Sequence, residues 1–188
     1  MYDYTSVIKN VYDIVNDFEI NLTEDDILDL IKIENRWPQK TSLGFSTLEV
    51  ITEWSVKNTD EMFDSRGRLI YDVWKKYYDY GFTTILVDVL DLTQDLRNLR
   101  KELSKIAGYM LSANFYLTKG STNHRVSFGS HYHEYDVIVK TIYGKCKWQI
   151  NHEYIDVSDS VIYIPAGTNH SVVECEDKKL SLTINLGC

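Results

Sequence analysis

Apolar and polar positions alternate with a helical period through the first eighty residues. Ile8, Val11, Tyr12, Val15 and Phe18 recur three or four apart behind Thr5 and Ser6, either of which can cap a helix. A second start is Thr23-Glu24-Asp25-Asp26, followed by Ile27, Leu28, Leu30, Ile31 and Ile33. Trp37-Pro38 stops it, because the residue before a proline is pushed out of the helical region. Ser46-Thr47-Leu48-Glu49 has the form of a capping box and predicts a short helix through Trp54. A further helix is expected over about 69–80, ended by Gly81.

The pattern then changes. Residues 83–90 are β-branched and apolar and read as a strand, and Thr93 caps a helix carrying Leu96, Leu99, Leu103 and Ile106, closed by Gly108. Short strands come next at 110–118, 135–143, 145–151, 154–157, 161–164, 171–175 and 180–186, separated by turn residues with no helical period between them. This succession predicts an antiparallel barrel or sandwich on which the helical half packs. The fold class is therefore α+β, with a helical region over 1–81 and a β domain over 82–188.

Composition adds limits. A chain of 188 residues is one domain with a real core, and 44% hydrophobic residues with only two Pro and nine Gly exclude a disordered chain. The net charge of −8 argues against nucleic acid, although Arg125, Lys145 and Lys147 could form a local basic patch. Cys146, Cys175 and Cys188 are odd in number and lack CxxC spacing, so reduced thiols in a cytoplasmic protein are expected. The chain opens on acidic and polar residues rather than a signal-like apolar run, and no membrane partner is expected.

Candidate chemistry lies in Ser130-His131-Tyr132-His133-Glu134-Tyr135-Asp136, which holds two of the five histidines. On a strand, positions two apart share a face, so His131 and His133 can aim at one point. His170, at the end of VIYIPAGTNH, is the obvious third ligand of a metal site that leaves positions open for water or substrate. The alternative is a pair of histidines that merely share a strand face. His124 and His152 read as loop or surface residues.

Three stretches together resemble the JmjC-type cupin oxygenases, especially their ribosomal-oxygenase branch: Ala113-Asn114-Phe115-Tyr116-Leu117-Thr118, then SHYHEYDVIVKTIYGKCKW from Ser130, then VIYIPAGTNH to His170. The resemblance covers about 82–187 and implies a double-stranded β-helix that binds Fe(II) through two histidines and a carboxylate. It also implies 2-oxoglutarate as cosubstrate and hydroxylation of a protein side chain. His131 and His170 match the family's histidine ligands, and Asn114 and Tyr116 match the strand lining the cosubstrate pocket. Two positions depart from the pattern. His133 stands where the family carries its carboxylate ligand, and Cys146 stands where a lysine pairs with the distal carboxylate of 2-oxoglutarate. Lys145 and Lys147 flank that position but face outward on a regular strand, so a bulge, or a lysine from elsewhere such as Lys140, would be needed. Glu134 and Asp136 fall on the side turned away from the metal, where Glu134 reads as solvated and Asp136 as structural.

The leading expectation is thus a small Fe(II)- and 2-oxoglutarate-dependent oxygenase. A three-histidine set also suits Ni(II), Zn(II) or Cu(II). The alternatives are a three-histidine cupin dioxygenase without 2-oxoglutarate, acting on a small chelating substrate in a pocket lacking an inward lysine, and a non-catalytic metal-binding module. Helices before the barrel support dimers in related folds, which makes a homodimer an analogy.

Overall fold

Ten strands and four α-helices organise the described residues of a computed structural model, which are 3–52, 55–56, 59–106, 111–120, 127–158, 160–175 and 177–187. Helix α1 spans Tyr4–Asp17 and buries Val7, Val11 and Val15; its cap is Asp3, which accepts from the Thr5 backbone, rather than Thr5 or Ser6. Helix α2, Glu24–Ile31, opens on a capping box between Thr23 and Asp26 and ends before Trp37-Pro38 is reached. Helix α3, Tyr71–Tyr80, ends at Gly81, whose φ of 96° is a left-handed conformation that favours glycine. Helix α4, Gln94–Leu103, is capped by Thr93 and buries Leu96, Leu99 and Leu103. The expected cap Gly108 lies outside the described residues.

The helix expected from Ser46 is instead strand β1, Leu48–Thr52, paired with β2, Ser55–Val56, and with β3, Thr83–Leu86. Thr47 donates its hydroxyl to the carbonyl of Pro38 (2.6 Å) instead of capping a helix, and Leu48, Val50 and Ile51 are buried. Burial of this β-branched run against the sheet overrides the local capping signal. Strand β3 is also shorter than expected: it stops at Leu86, and Asp88 turns the chain with a φ of 62°.

The remaining strands are β4 (Leu111–Thr118), β5 (Asp136–Tyr143), β6 (Lys145–Ile150), β7 (Glu153–Ser158), β8 (Val161–Ile164), β9 (His170–Cys175) and β10 (Lys179–Leu186). They form two antiparallel sheets, ordered β2-β1-β3-β4-β10-β5-β8 and β7-β6-β9. Within the first, β4-β10-β5-β8 alternates early and late strands. Consecutive strands such as β5 and β6 cross from one sheet to the other. This is the double-stranded β-helix of the cupin jelly roll.

Strand β10 is buried on both faces. Leu180, Leu182, Ile184 and Leu186 join the main core with α1–α4 residues such as Val11, Ile27, Trp74 and Leu99. The alternate positions Lys179, Ser181, Thr183 and Asn185 lie opposite Thr118, Tyr116, Asn114 and Ser112 of β4. The β4–β10 part of the large sheet is therefore apolar toward the helices and polar toward the barrel interior. A smaller apolar cluster between the sheets, with Val137, Val139 and Ile164 from the large sheet and Trp148 and Val157 from the small one, closes the barrel.

Candidate metal centre

His131 and His133 precede β5, and His170 opens β9. His131 and His170 exchange backbone hydrogen bonds of 3.1 and 2.8 Å in an isolated antiparallel bridge, which brings their rings to a centroid separation of 4.5 Å. His133 lies 5.0 Å from His131 and 5.2 Å from His170 by ring centroids. One nitrogen from each of the three rings falls within 4.8 Å of the others, a spacing that could hold one metal ion. His131 and His133 do not sit on a strand as expected: the segment before β5 is irregular, with Tyr132 and Glu134 exposed between and after the two histidines.

The donors are prepared for such a role. His131 Nδ1 lies 2.7 Å from the carbonyl of Gly129, and His170 Nδ1 lies 2.9 Å from that of Thr168. A carbonyl can only accept, so each Nδ1 carries the proton and Nε2 is left as a ligand. Burial, then the neighbouring His131 and His170, push the pKa of His133 down to about 4, and burial likewise lowers that of His170. Both rings are neutral at pH 7, the state a metal needs. Tyr135 stacks on His133 at 4.8 Å. The residues present fit a transition metal bound by three imidazoles, with no carboxylate from His133's neighbours in the set.

The histidines open into a cavity lined also by Tyr116, Trp148, Lys179, Ser181 and Thr183. Among the described residues, Lys179 is the one lysine or arginine that lines it. Lys179 is only 4% exposed, and burial pushes its pKa down to about 8. Its Nζ sits 5.1 Å from the Trp148 ring centre, and Trp148 in turn stacks near His170 at 6.2 Å. A buried cation beside an aromatic wall, facing three imidazoles, fits an anionic group. Tyr116 also lines the cavity, and burial raises its pKa well above the ordinary phenol value.

Other expected site residues are placed elsewhere. Asn114 Oδ1 accepts from the backbone N–H of Asp88 (3.2 Å). Lys145 and Lys147 are exposed on the outer face of β6 despite a bulge in its pairing with β9. Lys140 turns to the helices, where Nζ donates to the carbonyls of Val15 (2.9 Å) and Asn16 (3.0 Å) at the end of α1. Cys146 is bonded to Cys175, its register partner on β9, with Cα atoms 4.4 Å apart. That pair corrects the expectation of reduced thiols: topology joins two cysteines that the sequence separates by 29 positions. Cys188, His124 and Arg125 lie outside the described residues, and His152 is exposed. Sequence reading misses Lys179, whose only signal is a lysine starting the alternating strand KLSLTINL.

A model of the JmjC domain matches residues 91–160, a span that holds His131 and His133 but ends before His170. No curated protein matches the chain significantly. Among solved structures, an RmlC-like cupin from Shewanella frigidimarina is similar at 10% identity and a TM-score of 0.40, over 57% of this chain and 78% of that one. The EutQ protein of Clostridium difficile is similar at 18% identity and a TM-score of 0.37, over 56% and 69%. A conserved protein of unknown function from Streptococcus pyogenes shares 22% identity at a TM-score of 0.36, over 42% of this chain; the match spans 65% of that protein's length. The domain match and the barrel's own strand order are consistent with each other. Among the described residues, no helix is long and apolar enough to cross a membrane.

Proposed function

We propose that this JmjC-type cupin is an Fe(II)- and 2-oxoglutarate-dependent oxygenase that hydroxylates a protein side chain. The observation that carries the reading is the shared cavity of three convergent imidazoles and one buried cation, Lys179. His131, His133 and His170 would hold the metal through their free ring nitrogens. Lys179, supplied from β10 rather than from the Cys146 position, would neutralise the distal carboxylate of the cosubstrate. The Trp148 ring, 5.1 Å from the ammonium, would flank it with an apolar wall, beside which its interaction with an anion is stronger than in water. Tyr116, Ser181 and Thr183 offer hydroxyls along the same wall. When bound, Fe(II) and 2-oxoglutarate supply oxidative decarboxylation to succinate coupled to hydroxylation of a C–H bond.

A three-histidine cupin dioxygenase without 2-oxoglutarate is favoured by one observation, the neutral ligand set. It does not use a buried lysine, which would then be an uncompensated cost to the fold. Succinate measured after incubation of iron-loaded protein with 2-oxoglutarate, O2 and a protein extract separates the two. Succinate formation that is lost in His170→Ala supports the proposal. O2 uptake with chelating small molecules and no succinate under any condition would favour the alternative.

A further inference from the structure

Asp136 opens β5 and is 5% exposed, on the face of the large sheet that meets the helices. A carboxylate there is costly unless every oxygen is engaged. Its Oδ1 accepts from the hydroxyl of Tyr163 (2.8 Å) and the backbone N–H of Ala166 (3.0 Å), and its Oδ2 accepts from the hydroxyl of Tyr4 on α1. Burial pushes its pKa up, but these three donors outweigh burial and hold it below the usual carboxylate range.

The Ala166 contact matters because of the residues next to Ala166 in the chain. Gly167 donates its N–H to the carbonyl of His133 (2.8 Å), from a left-handed conformation with φ of 75°. Thr168 closes the turn onto Pro165 (3.1 Å), and its own carbonyl faces His170 Nδ1 (2.9 Å). The turn from Pro165 to Thr168 is thus tied at one end to Asp136, in its middle to one candidate ligand, and at its exit to the ring of another. The helical layer enters the same chain of contacts through Tyr4.

We infer that Asp136 is a positioning residue for the metal centre, and that the hydrogen bond from the Tyr4 hydroxyl, rather than the core packing of α1, gives the helical layer its part in metal geometry. The inference rests on the metal reading of the three histidines. It assigns to the N-terminal helix a part in the site beyond covering the sheet.

The test compares Tyr4→Phe and Asp136→Asn with Val11→Ala, which loosens α1 in the core without touching Asp136. Co(II) affinity by chelator competition, the Co(II) visible spectrum, the urea midpoint of the metal-free protein and the 15N shifts of its imidazoles are measured on each. Expected are a loss of about ten-fold in Co(II) affinity for Tyr4→Phe and Asp136→Asn, an altered Co(II) spectrum, and loss of the single Nδ1–H tautomer of His170. Val11→Ala should lower the urea midpoint and leave affinity and spectrum intact. Midpoint changes alone in Tyr4→Phe and Asp136→Asn, or an equal affinity loss in Val11→Ala, would overturn the inference. If Asp136→Asn does not fold, Tyr4→Phe carries the comparison. If the wild type takes up no Co(II), the metal reading fails, and an unchanged His170 tautomer in the metal-free variants would show separately that Asp136 does not set the ring.

Discussion

The two faces of strand β10 are made from one octapeptide, KLSLTINL, and both are buried, yet they do different things. Toward the helices, Leu180, Leu182, Ile184 and Leu186 fill the main core. Toward the barrel, Lys179, Ser181 and Thr183 line a cavity with three histidines and place polar groups in it. The first face holds the two layers together through removal of apolar surface from water. The second face spends stability to keep a lysine and hydroxyls inside the protein. A buried polar face backed by a buried apolar one marks where the fold gives up stability, and in this barrel that place coincides with the convergent imidazoles.

Substitutions on the two faces should part in both size and kind. Leu182→Ala is expected to cost about 2–5 kcal/mol in urea unfolding, as core truncations do, with no change in ligand affinity at the cavity once folded. Loss of the Cys146–Cys175 bond, which joins residues 29 apart across the small sheet, should cost about 3–4 kcal/mol on the chain-entropy view; it is checked by unfolding Cys146→Ser/Cys175→Ser beside the oxidised protein. Lys179→Met should do the opposite of Leu182→Ala: affinity for 2-oxoglutarate falls by about ten- to a hundred-fold, as for loss of a charge-assisted contact, while stability at pH 7 holds or rises.

The pH dependence of stability sharpens the Lys179 comparison. Its folded pKa is lowered from 10.5 to about 8, so between those values the unfolded chain keeps a proton that the native state has released. Stability contributed at this position therefore rises with pH across that window, and the wild type should gain on Lys179→Met from pH 8 to 10.5 in paired urea titrations. The smallest effect is expected on the outer face of β6, where Lys147→Ala should change stability by no more than about 0.5 kcal/mol and leave affinity unaltered.

Much of the β half is legible in the sequence because its signals are local. The predicted strand 161–164 coincides with β8, the predicted counterparts of β5, β6, β9 and β10 agree to within a residue at each end, and the motif around His131 and His133 falls within the span that a JmjC domain model matches. The features that escape depend on topology. The capping box at Ser46 obeys the local rule for a helix start, but the sheet edge of β3 offers Leu48, Val50 and Ile51 a burial that a helix there could not match. Cys146 looks like a replaced lysine, and only the pairing of β6 with β9 shows what it bonds. Lys179 is hidden for a similar reason. A lysine at the start of a strand reads as a solvated end, and only the barrel's closure turns it inward beside Trp148.

The most direct test of Lys179 as the cosubstrate's cation is an anaerobic titration of the Fe(II)-loaded protein with 2-oxoglutarate, followed by metal-to-ligand charge-transfer absorption, in the wild type and in Lys179→Met. A saturable band is expected in the wild type, with a much higher 2-oxoglutarate requirement in the variant. No band in iron-loaded wild type, or equal affinities in the two proteins, would contradict that role.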